Sequence, residues 1–373
     1  MEYRRLGNTN IQVSALGFGC MRLPEYEQDG KWYIDEEKAI PMLRRAYELG
    51  VNYFDTAYYY CHSNSESTVG KALKPFRDKV MISTKIPVSE INSTEEFWKY
   101  LNESLKRLDT DYIDFYHLWA LNQNTFRNKV LKYNLIEEAM KAKAEGKIRH
   151  LSFSFHDKPE VIKEIIDTGK VFDSMLVQYN LLDRSNEEMI DYAHEKGLGV
   201  IIMGPVGGGR LAAPTNLGEK LTGEKQSTYE LALKFVISNP SVTCALSGME
   251  NVEVLEKNVM IVNEFEELSP SELQKIKDSL EELKKFSELY CTGCNYCSDC
   301  PQNIKISKIF QLFTYYNVYD LKEYARKSYQ EYLKNEKNGQ VSDCVACGLC
   351  ESVCPQKLEV IEELRKVDQI LTN

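Results

Sequence analysis

The segment DEEKAIPMLRRAYELGVNYFDTA, residues 35–57, sets a helix pattern directly before a strand pattern. In residues 35–50, apolar side chains recur at helical spacing, and Gly50 is suited to follow the end of the helix. Residues 51–57 form a short run rich in aromatic and β-branched side chains, which is typical of a strand buried on both faces. A helix followed at once by such a strand predicts an α/β fold.

This alternation continues to about residue 265. The runs that predict strands lie at residues 14–19, 51–57, 79–86, 111–119, 148–155, 174–180, 198–205 and 241–248. Strands that alternate with helices indicate a parallel sheet covered on both sides. Eight such units in roughly 250 residues fit a closed (β/α)8 TIM barrel better than an open sheet. Before the first strand, the chain alternates around Gly7-Asn8, which predicts a hairpin that closes the bottom of the barrel.

Composition and charge argue against several classes of protein. With 43% hydrophobic and 27% charged residues, the chain has the composition of ordinary globular proteins. Its formal net charge of −10 argues against nucleic-acid binding, which requires a basic face. No apolar run reaches the roughly 18–20 residues that span a bilayer, and the first residues do not resemble a signal peptide. We therefore expect a cytoplasmic protein without a nucleic-acid or membrane partner.

The last part of the chain carries two cysteine runs, CTGCNYCSDCP at residues 291–301 and CVACGLCESVCP at residues 344–355. An amphipathic helix pattern at 268–289 leads into the first run, and the stretch between the runs is polar and helical in pattern. We therefore predict a barrel domain over residues 1–285 and a small, mostly α-helical domain over residues 286–373.

The spacing of the two cysteine runs predicts two 4Fe-4S clusters. The runs read C-x2-C-x2-C-x2-C-P and C-x2-C-x2-C-x3-C-P, as in bacterial two-cluster ferredoxins, where the fourth cysteine of a run binds the other cluster. Structural zinc would instead use two pairs of ligands. On the ferredoxin pattern the first ligand set is Cys291, Cys294, Cys297 and Cys354. The second set is Cys344, Cys347, Cys350 and Cys300. The two-residue final gap of the first run leaves this exchange of fourth ligands open.

Several motifs lie at the C-terminal ends of predicted strands, where barrel enzymes place their chemistry. They are FDTAYYYCHSNSESTVGKAL at 54–73, STKIP at 83–87 and DYIDFYHLW at 111–119. Together with residues 1–24 and EGKIRHLSFSFH at 145–156, they resemble the aldo/keto reductase family over about residues 1–285. The resemblance implies NADPH- or NADH-dependent reduction of a carbonyl group on a small molecule. The stretch between the cysteine runs resembles the helical ferredoxin domain of succinate dehydrogenase iron–sulfur subunits.

The family motifs imply three catalytic residues, Asp55, Tyr60 and Lys85. A carbonyl that receives hydride also needs a proton, and a phenol whose pKa is lowered by an adjacent ammonium can donate it. Lys85 would be that ammonium, and Asp55 would hold it charged and oriented. Taken from the residues alone, Asp55 and Lys85 could instead form a structural ion pair between strands, and Tyr60 could be a loop aromatic.

The fourth catalytic position is open between two residues. Most relatives have a histidine at the position of Trp119, and His117 lies two residues earlier. Because residues i and i+2 of a strand face the same side, His117 is expected to point into the barrel, deeper than the usual histidine. Either His117 orients the substrate, or Trp119 lines the pocket and His117 is a core residue.

The resemblance also implies residues that bind the nicotinamide nucleotide. Ser154 and Gln178 match the positions that hold the carboxamide, and Met203 stands where an aromatic ring usually stacks on the nicotinamide. The remaining candidates, from PVGGGRL at 205–211 and SGMENVEVLEKN at 247–258, are Pro205, Gly207, Gly208, Gly209, Arg210, Ser247, Gly248 and Asn258. Val254 stands where the family usually has a basic residue that binds the 2′-phosphate of the nucleotide. Arg210 is the one nearby cation that we propose for this role. The alternative is that these are ordinary barrel loops.

The two predicted chemistries transfer different numbers of electrons. Hydride carries two electrons and a 4Fe-4S cluster carries one, so joining them usually takes a flavin, for which the sequence has no G-x-G-x-x-G fingerprint. Late barrel loops can bind flavin mononucleotide without that fingerprint. Three hypotheses follow: a reductase whose clusters pass electrons to or from a partner such as ferredoxin, a self-sufficient reductase with structural or sensing clusters, and an electron-transfer protein with an inactive barrel.

Overall fold

The computed structural model describes residues 1–373 except 214, 286–288, 290, 292, 294–295 and 355. Its chain separates into two compact units. The first comprises Met1–Gly208 and Ala232–Glu267, and the second comprises Gly209–Leu231 and Leu268–Asn373. The domain boundary between residues 285 and 286 stays a prediction. In the described part of the chain, no helix is both long and apolar enough to cross a membrane.

The strands are β1 (Tyr3–Arg5), β2 (Gln12–Ser14), β3 (Leu16–Gly19), β4 (Glu25–Gln28), β5 (Lys31–Ile34), β6 (Tyr53–Asp55), β7 (Met81–Ile86), β8 (Ile113–Leu121), β9 (Ile148–Phe155), β10 (Ser174–Gln178), β11 (Gly199–Met203) and β12 (Cys244–Ser247). The helices are α1 (Glu36–Glu48), α2 (Tyr60–Ser63), α3 (Ser65–Leu73), α4 (Thr94–Leu108), α5 (Gln123–Thr125), α6 (Leu135–Ala144), α7 (Glu160–Gly169), α8 (Glu187–Glu195), α9 (Leu217–Thr222), α10 (Thr228–Ile237), α11 (Val252–Asn263), α12 (Pro270–Lys285), α13 (Ile306–Asn317), α14 (Lys322–Lys334), α15 (Leu349–Ser352) and α16 (Val360–Thr372).

The first unit contains a closed parallel barrel in the order β3-β6-β7-β8-β9-β10-β11-β12, with β12 pairing β3. This confirms the predicted barrel and each of its eight strands. The helix predicted at 35–50 is α1, followed by Gly50 with a φ of 96°. In a parallel barrel all strands point the same way, so residues at their C-terminal ends converge on one mouth.

The hairpin β1–β2 closes the barrel as predicted. Its strands pair antiparallel, with Tyr3 opposite Ser14. Next to this pairing, Leu6 and Val13 are fully buried in one apolar cluster with residues of the barrel strands, among them Tyr53. Apolar side chains from the hairpin therefore fill the interior at the end of the barrel opposite the mouth.

A second hairpin, β4–β5, lies between the first barrel strand and α1, and the sequence patterns above did not predict it. Glu25 pairs with Ile34 and Gln28 with Lys31. The turn between them is Asp29-Gly30, and both residues have positive φ, 53° and 74°. Asp-Gly is a favoured pair for such a two-residue turn, so the local signal was present.

The second unit is mostly helical, in agreement with the prediction. Buried side chains of α13, α14 and α16 form its core, among them Phe310, Tyr329 and Val367. The Tyr329 hydroxyl donates to Asp368 Oδ1 at 2.5 Å, which joins α14 to α16. The second unit therefore has a packed helical core.

Candidate functional site

A buried ion pair joins the ends of strands β6 and β7. Lys85 Nζ donates to Asp55 Oδ2 at 2.6 Å and to the Thr56 carbonyl at 2.7 Å, while Ser83 Oγ donates to Asp55 Oδ1 at 2.7 Å. Only 1% of Lys85 and 3% of Asp55 is exposed. Burial by itself would lower the pKa of Lys85, but Asp55 and Tyr60 together outweigh it and the pKa is raised. The ammonium is therefore charged at neutral pH and fixed in place.

Tyr60 lies beside this ammonium. Lys85 Nζ is 4.5 Å from the centroid of the Tyr60 ring. Burial raises the pKa of the Tyr60 phenol, and the positive charge of Lys85 opposes that rise without cancelling it. The expectation of a lowered pKa is therefore wrong in its net direction, because desolvation of the phenolate exceeds the attraction to Lys85. The phenol is protonated at neutral pH and able to act as an acid.

The two residues considered for the fourth catalytic position lie in different environments. The Trp119 ring meets the Tyr60 ring edge to face, with 5.7 Å between centroids. His117 lies opposite Lys85 in the strand register and is fully buried. Within the described residues neither of its ring nitrogens has a hydrogen-bond partner of good geometry, although the Phe153 backbone is near enough to act on the pKa of the ring. Burial and then the charge of Lys85 lower the His117 pKa to about 3, so the ring is neutral.

A local irregularity of β8 accompanies the position of Trp119. The β8–β9 pairing shifts register between Leu118 and Leu121, and Ala120 has a φ of 52°. The Ala120 amide donates to Ser154 Oγ at 2.7 Å. This bulge ends the regular ladder next to the mouth, and bulges of this kind re-aim neighbouring side chains.

Three predicted nucleotide-binding residues lie at the ends of neighbouring strands. Ser154 is on β9, Gln178 on β10 and Met203 on β11, with Gln178 opposite Met203 in the register. The Ser154 hydroxyl accepts the Ala120 amide and keeps its own proton to donate. Gly204 follows Met203, and a Cβ there would lie 2.8 Å from Gln178 Oε1. Ser154 and Gln178 thus present polar groups at neighbouring strand ends, and their role in holding a carboxamide stays a prediction.

The predicted phosphate loop has the backbone expected of glycine. Gly207, Gly208 and Gly209 have φ of 60°, 69° and 96°, values that side chains disfavour. Arg22, which the sequence analysis did not single out, approaches this loop. Its Nη1 donates to the Gly208 carbonyl at 3.3 Å. A Cβ on Gly248 would lie 3.7 Å from Arg22 Cδ, so this cation lies beside both glycine loops.

Other predicted nucleotide contacts are engaged within the protein. Arg210, which belongs to the second unit, donates from Nη1 to the Tyr315 hydroxyl at 2.9 Å, and its guanidinium lies 5.8 Å from the Tyr324 ring centroid. Asn258 Nδ2 donates to Ser247 Oγ at 3.0 Å, and both side chains are buried. Pro205 is also buried. Their roles in nucleotide binding stay predictions.

In the second unit, the cysteines line two cavities. The first cavity is lined by five cysteines, Cys297, Cys300, Cys344, Cys347 and Cys350. The second is lined by four, Cys291, Cys297, Cys350 and Cys354, so Cys297 and Cys350 border both cavities. Cys294 lies outside the described residues. Cys300 lines a cavity with the first three cysteines of the second run, and Cys354 lines one with Cys291 and Cys297. Which cysteine completes which cluster stays a prediction.

The cysteines surround these spaces without converging on a point. Among the residues that the structure describes, no three His, Cys, Asp or Glu side chains are placed to hold a single metal ion. A 4Fe-4S cluster is a multi-atom body bound from four sides, so its ligands stand apart around it. The described cysteines fit that requirement.

An unusual backbone segment follows Tyr60. Cys61, His62 and Ser63 have φ of 50°, 53° and 68°, in the left-handed region. Each such residue other than glycine costs roughly 1–2 kcal/mol. No sequence motif predicted this turn, because left-handed positions are usually occupied by glycine or asparagine and residues 61–63 include neither.

Comparison with known proteins identifies two family models. A model described as the aldo/keto reductase family matches residues 15–281, and one described as a 4Fe-4S dicluster domain matches residues 290–359. The uncharacterized oxidoreductase YqkF of Bacillus subtilis (strain 168) is 29% identical over 296 residues, covering 70% of this chain and 92% of that protein. L-galactose dehydrogenase of Arabidopsis thaliana is 29% identical over 322 residues, covering 77% and 97%. The holo form of aldo-keto reductase AKR11C1 from Bacillus halodurans has a TM-score of 0.65 and 31% identity, covering 75% of this chain and 96% of that chain.

Proposed function

Because the chain belongs to the aldo/keto reductase family and carries a 4Fe-4S dicluster domain, we propose that it reduces a carbonyl group with NADPH or NADH. We propose further that its clusters pass electrons to or from a redox partner protein such as a ferredoxin. The substrate is a small molecule that enters the barrel mouth, and the protein acts in the cytoplasm.

The arrangement of Asp55, Lys85 and Tyr60 carries the proposal. A nicotinamide nucleotide, when bound, would supply hydride to the carbonyl carbon. The Tyr60 hydroxyl gives its proton to the carbonyl oxygen, and the phenolate left behind is stabilised by the Lys85 ammonium. Asp55 keeps that ammonium charged through the 2.6 Å hydrogen bond. In the reverse direction the same phenolate takes the proton back.

We assign the fourth position to Trp119 as a pocket wall. Its edge-to-face contact with Tyr60 favours this role. His117 is neutral and fully buried, and on this assignment it is a core residue that packs inside the barrel. On this assignment the substrate carbonyl takes its main hydrogen bond from Tyr60, without a second donor from His117.

For the nucleotide, we propose that Ser154 and Gln178 hold the carboxamide and that Met203 lies against the nicotinamide ring. Met is softer and less specific than an aromatic ring in such a contact. Arg22 is the cation that we propose for the phosphates, since it reaches both glycine loops. Its guanidinium can donate to phosphate oxygens in pairs.

The second unit would hold two 4Fe-4S clusters through the ligand sets predicted above. Each cluster supplies transfer of one electron, so two clusters match the two electrons of one hydride. Exchange between the two kinds of transfer requires a group capable of both, and a flavin is the usual one. The proposal therefore includes a search for flavin in the purified protein.

The test compares two neighbouring tyrosines in the anaerobically purified full-length chain. Oxidation of NADPH and NADH is followed with 4-nitrobenzaldehyde as the probe. Tyr60→Phe is expected to lower kcat by about 10²-fold or more, the range for a lost general acid. The matched control is Tyr59→Phe, because Tyr59 donates to Glu90 Oε2 at 2.5 Å and has no assigned role in proton transfer. Equal activity of Tyr60→Phe and the parent protein would refute the assignment.

A further inference from the structure

The turn that follows Tyr60 is held in a conformation that its own residues disfavour. Cys61, His62 and Ser63 are consecutive left-handed residues, and none of them is glycine. Such a run persists only where surrounding contacts determine it, and strained backbone of this kind occurs often at functional sites. The contacts that hold this one come from the β4–β5 hairpin and from the Cys20 and Met21 carbonyls, which lie 3.6 Å and 3.5 Å from Cys61 Sγ.

Asn64 connects the turn to the hairpin through the backbone. Its Nδ2 lies 3.0 Å from the Cys61 carbonyl, 3.4 Å from the His62 carbonyl and 3.1 Å from the Trp32 carbonyl on β5. All three partners are carbonyl oxygens, so the amide nitrogen must face them. The Asn64 side chain therefore contacts two peptide groups of the turn and one of the hairpin.

One face of the hairpin also contacts the turn through side chains. The His62 ring stacks on the Trp32 ring at 5.4 Å between centroids, with 12° between planes. His62 Nδ1 lies 2.9 Å from Glu25 Oε1. The opposite face carries Tyr26 and Tyr33, which stack on each other.

We propose that the β4–β5 hairpin is a clamp that fixes Tyr60 for proton transfer, with Asn64, His62 and Trp32 as positioning residues. This rests on the proposed function of Tyr60 as proton donor. The hairpin holds the strained turn, and the turn sets where the Tyr60 ring stands between Lys85 and Trp119. Positioning matters for rate because displacement of a reacting group by about 1 Å can cost 10²-fold.

The sharpest variant is Asn64→Asp, which keeps the shape of the side chain and replaces its donors with acceptors that repel the three carbonyls. In the full-length protein, with NADPH and 4-nitrobenzaldehyde, we expect kcat to fall on the order of tenfold while KM for NADPH stays unchanged. His62→Ala should lower kcat by about threefold, and His62→Phe, which keeps the ring stack on Trp32, should restore most of it.

The matched control is Tyr33→Ala, which removes the aromatic stack on the other face of the same hairpin. It is expected to lower Tm as much as His62→Ala does and to leave kcat unchanged. The proposal is overturned if Asn64→Asp retains the parent kcat, or if Tyr33→Ala loses as much activity as His62→Ala. If Asn64→Asp does not fold, His62→Ala and His62→Phe are compared instead, and a parent-like kcat in His62→Ala overturns the proposal. Tyr60→Phe, measured in parallel, separates the two proposals, because full activity there refutes the proton-donor role itself.

Discussion

At the barrel mouth, Lys85 donates to Asp55 and Thr56 while Tyr60 packs against Lys85 and Trp119. In the second unit, the described cysteines instead line two cavities that their own side chains do not fill. The first region assembles its reactive groups through contacts among its own residues. The second supplies ligands at fixed places, and an inorganic group must complete it. Chemistry carried by side chains is thus visible in hydrogen bonds, and chemistry carried by a cluster is visible in the spacing of its ligands.

The largest effect on the barrel side is expected from Lys85→Met. It leaves the buried Asp55 carboxylate without its cation, which costs about 3–5 kcal/mol, and it removes the charge that stabilises the Tyr60 phenolate. We expect kcat to fall by about 10²-fold or more and Tm to fall by roughly 10 °C. Steady-state kinetics and thermal unfolding measure the two effects.

The double variant Asp55→Asn/Lys85→Met is the control for that experiment. It removes both charges, so Tm should recover while kcat stays low. Recovery of activity together with Tm would mean that the ion pair is structural only.

On the cluster side, single cysteine variants test which residues share a cluster. Cys300→Ala is expected to match Cys344→Ala, and Cys354→Ala to match Cys291→Ala, in iron content and electron paramagnetic resonance spectrum. Each variant should retain one cluster, about four irons in place of eight. A match between Cys300→Ala and Cys291→Ala would show instead that each run holds its own cluster. Tyr60-dependent aldehyde reduction should survive in all four variants.

The pH dependence of stability tests whether His117 is buried as a neutral ring. Its pKa is about 3 in the folded protein and about 6.5 in an unfolded chain, so the unfolded state binds more protons as pH falls below 6.5. Stability is therefore full above that pH and lost on acidification, by about 2 kcal/mol at pH 5. His117→Leu should remove this part of the pH dependence when unfolding is compared at pH 7 and pH 5. An unchanged pH dependence would contradict the burial of a neutral ring.

The smallest expected effect is on the affinity for NADPH, and it is tested with variants of two arginines. Arg22→Gln is expected to weaken NADPH binding roughly tenfold, more at low salt, because it removes a charged phosphate donor. Arg210→Gln should change the Kd little, since Arg210 is already bonded to Tyr315. Titration of nucleotide fluorescence distinguishes the two. A larger loss in Arg210→Gln would restore the assignment made from sequence.

The sequence predicted those features that leave a local pattern. The barrel strands were predicted because burial on both faces produces apolar runs, and the 4Fe-4S dicluster domain because cysteine spacing is specific. The family, the fold and this domain are confirmed. Features that depend on distant neighbours were not predicted. Arg210 meets Tyr315 across 105 positions of the chain, and Arg22 reaches Gly208 across 186.

Sequence motifs also could not predict the direction of a pKa shift. The trio around Tyr60 was anticipated, but the direction of its pKa shift depends on how much water burial removes. The β4–β5 hairpin is a different case, since Asp29-Gly30 between short runs that contain Tyr26, Trp32 and Tyr33 is a local hairpin signal that was present in the sequence. Its contact with the turn after Tyr60 becomes visible only in three dimensions.

Anaerobic stopped-flow mixing of the reconstituted protein with NADPH, and separately with NADH, tests most directly whether the barrel and the clusters work together. Nicotinamide absorbance and cluster absorbance are followed in the same reaction, with and without Tyr60→Phe. We predict that nucleotide oxidation bleaches the clusters in both proteins, while reduction of 4-nitrobenzaldehyde is lost in Tyr60→Phe. Nucleotide that binds and reduces the aldehyde without any bleaching of the clusters would contradict the electron-relay account and leave a self-sufficient reductase.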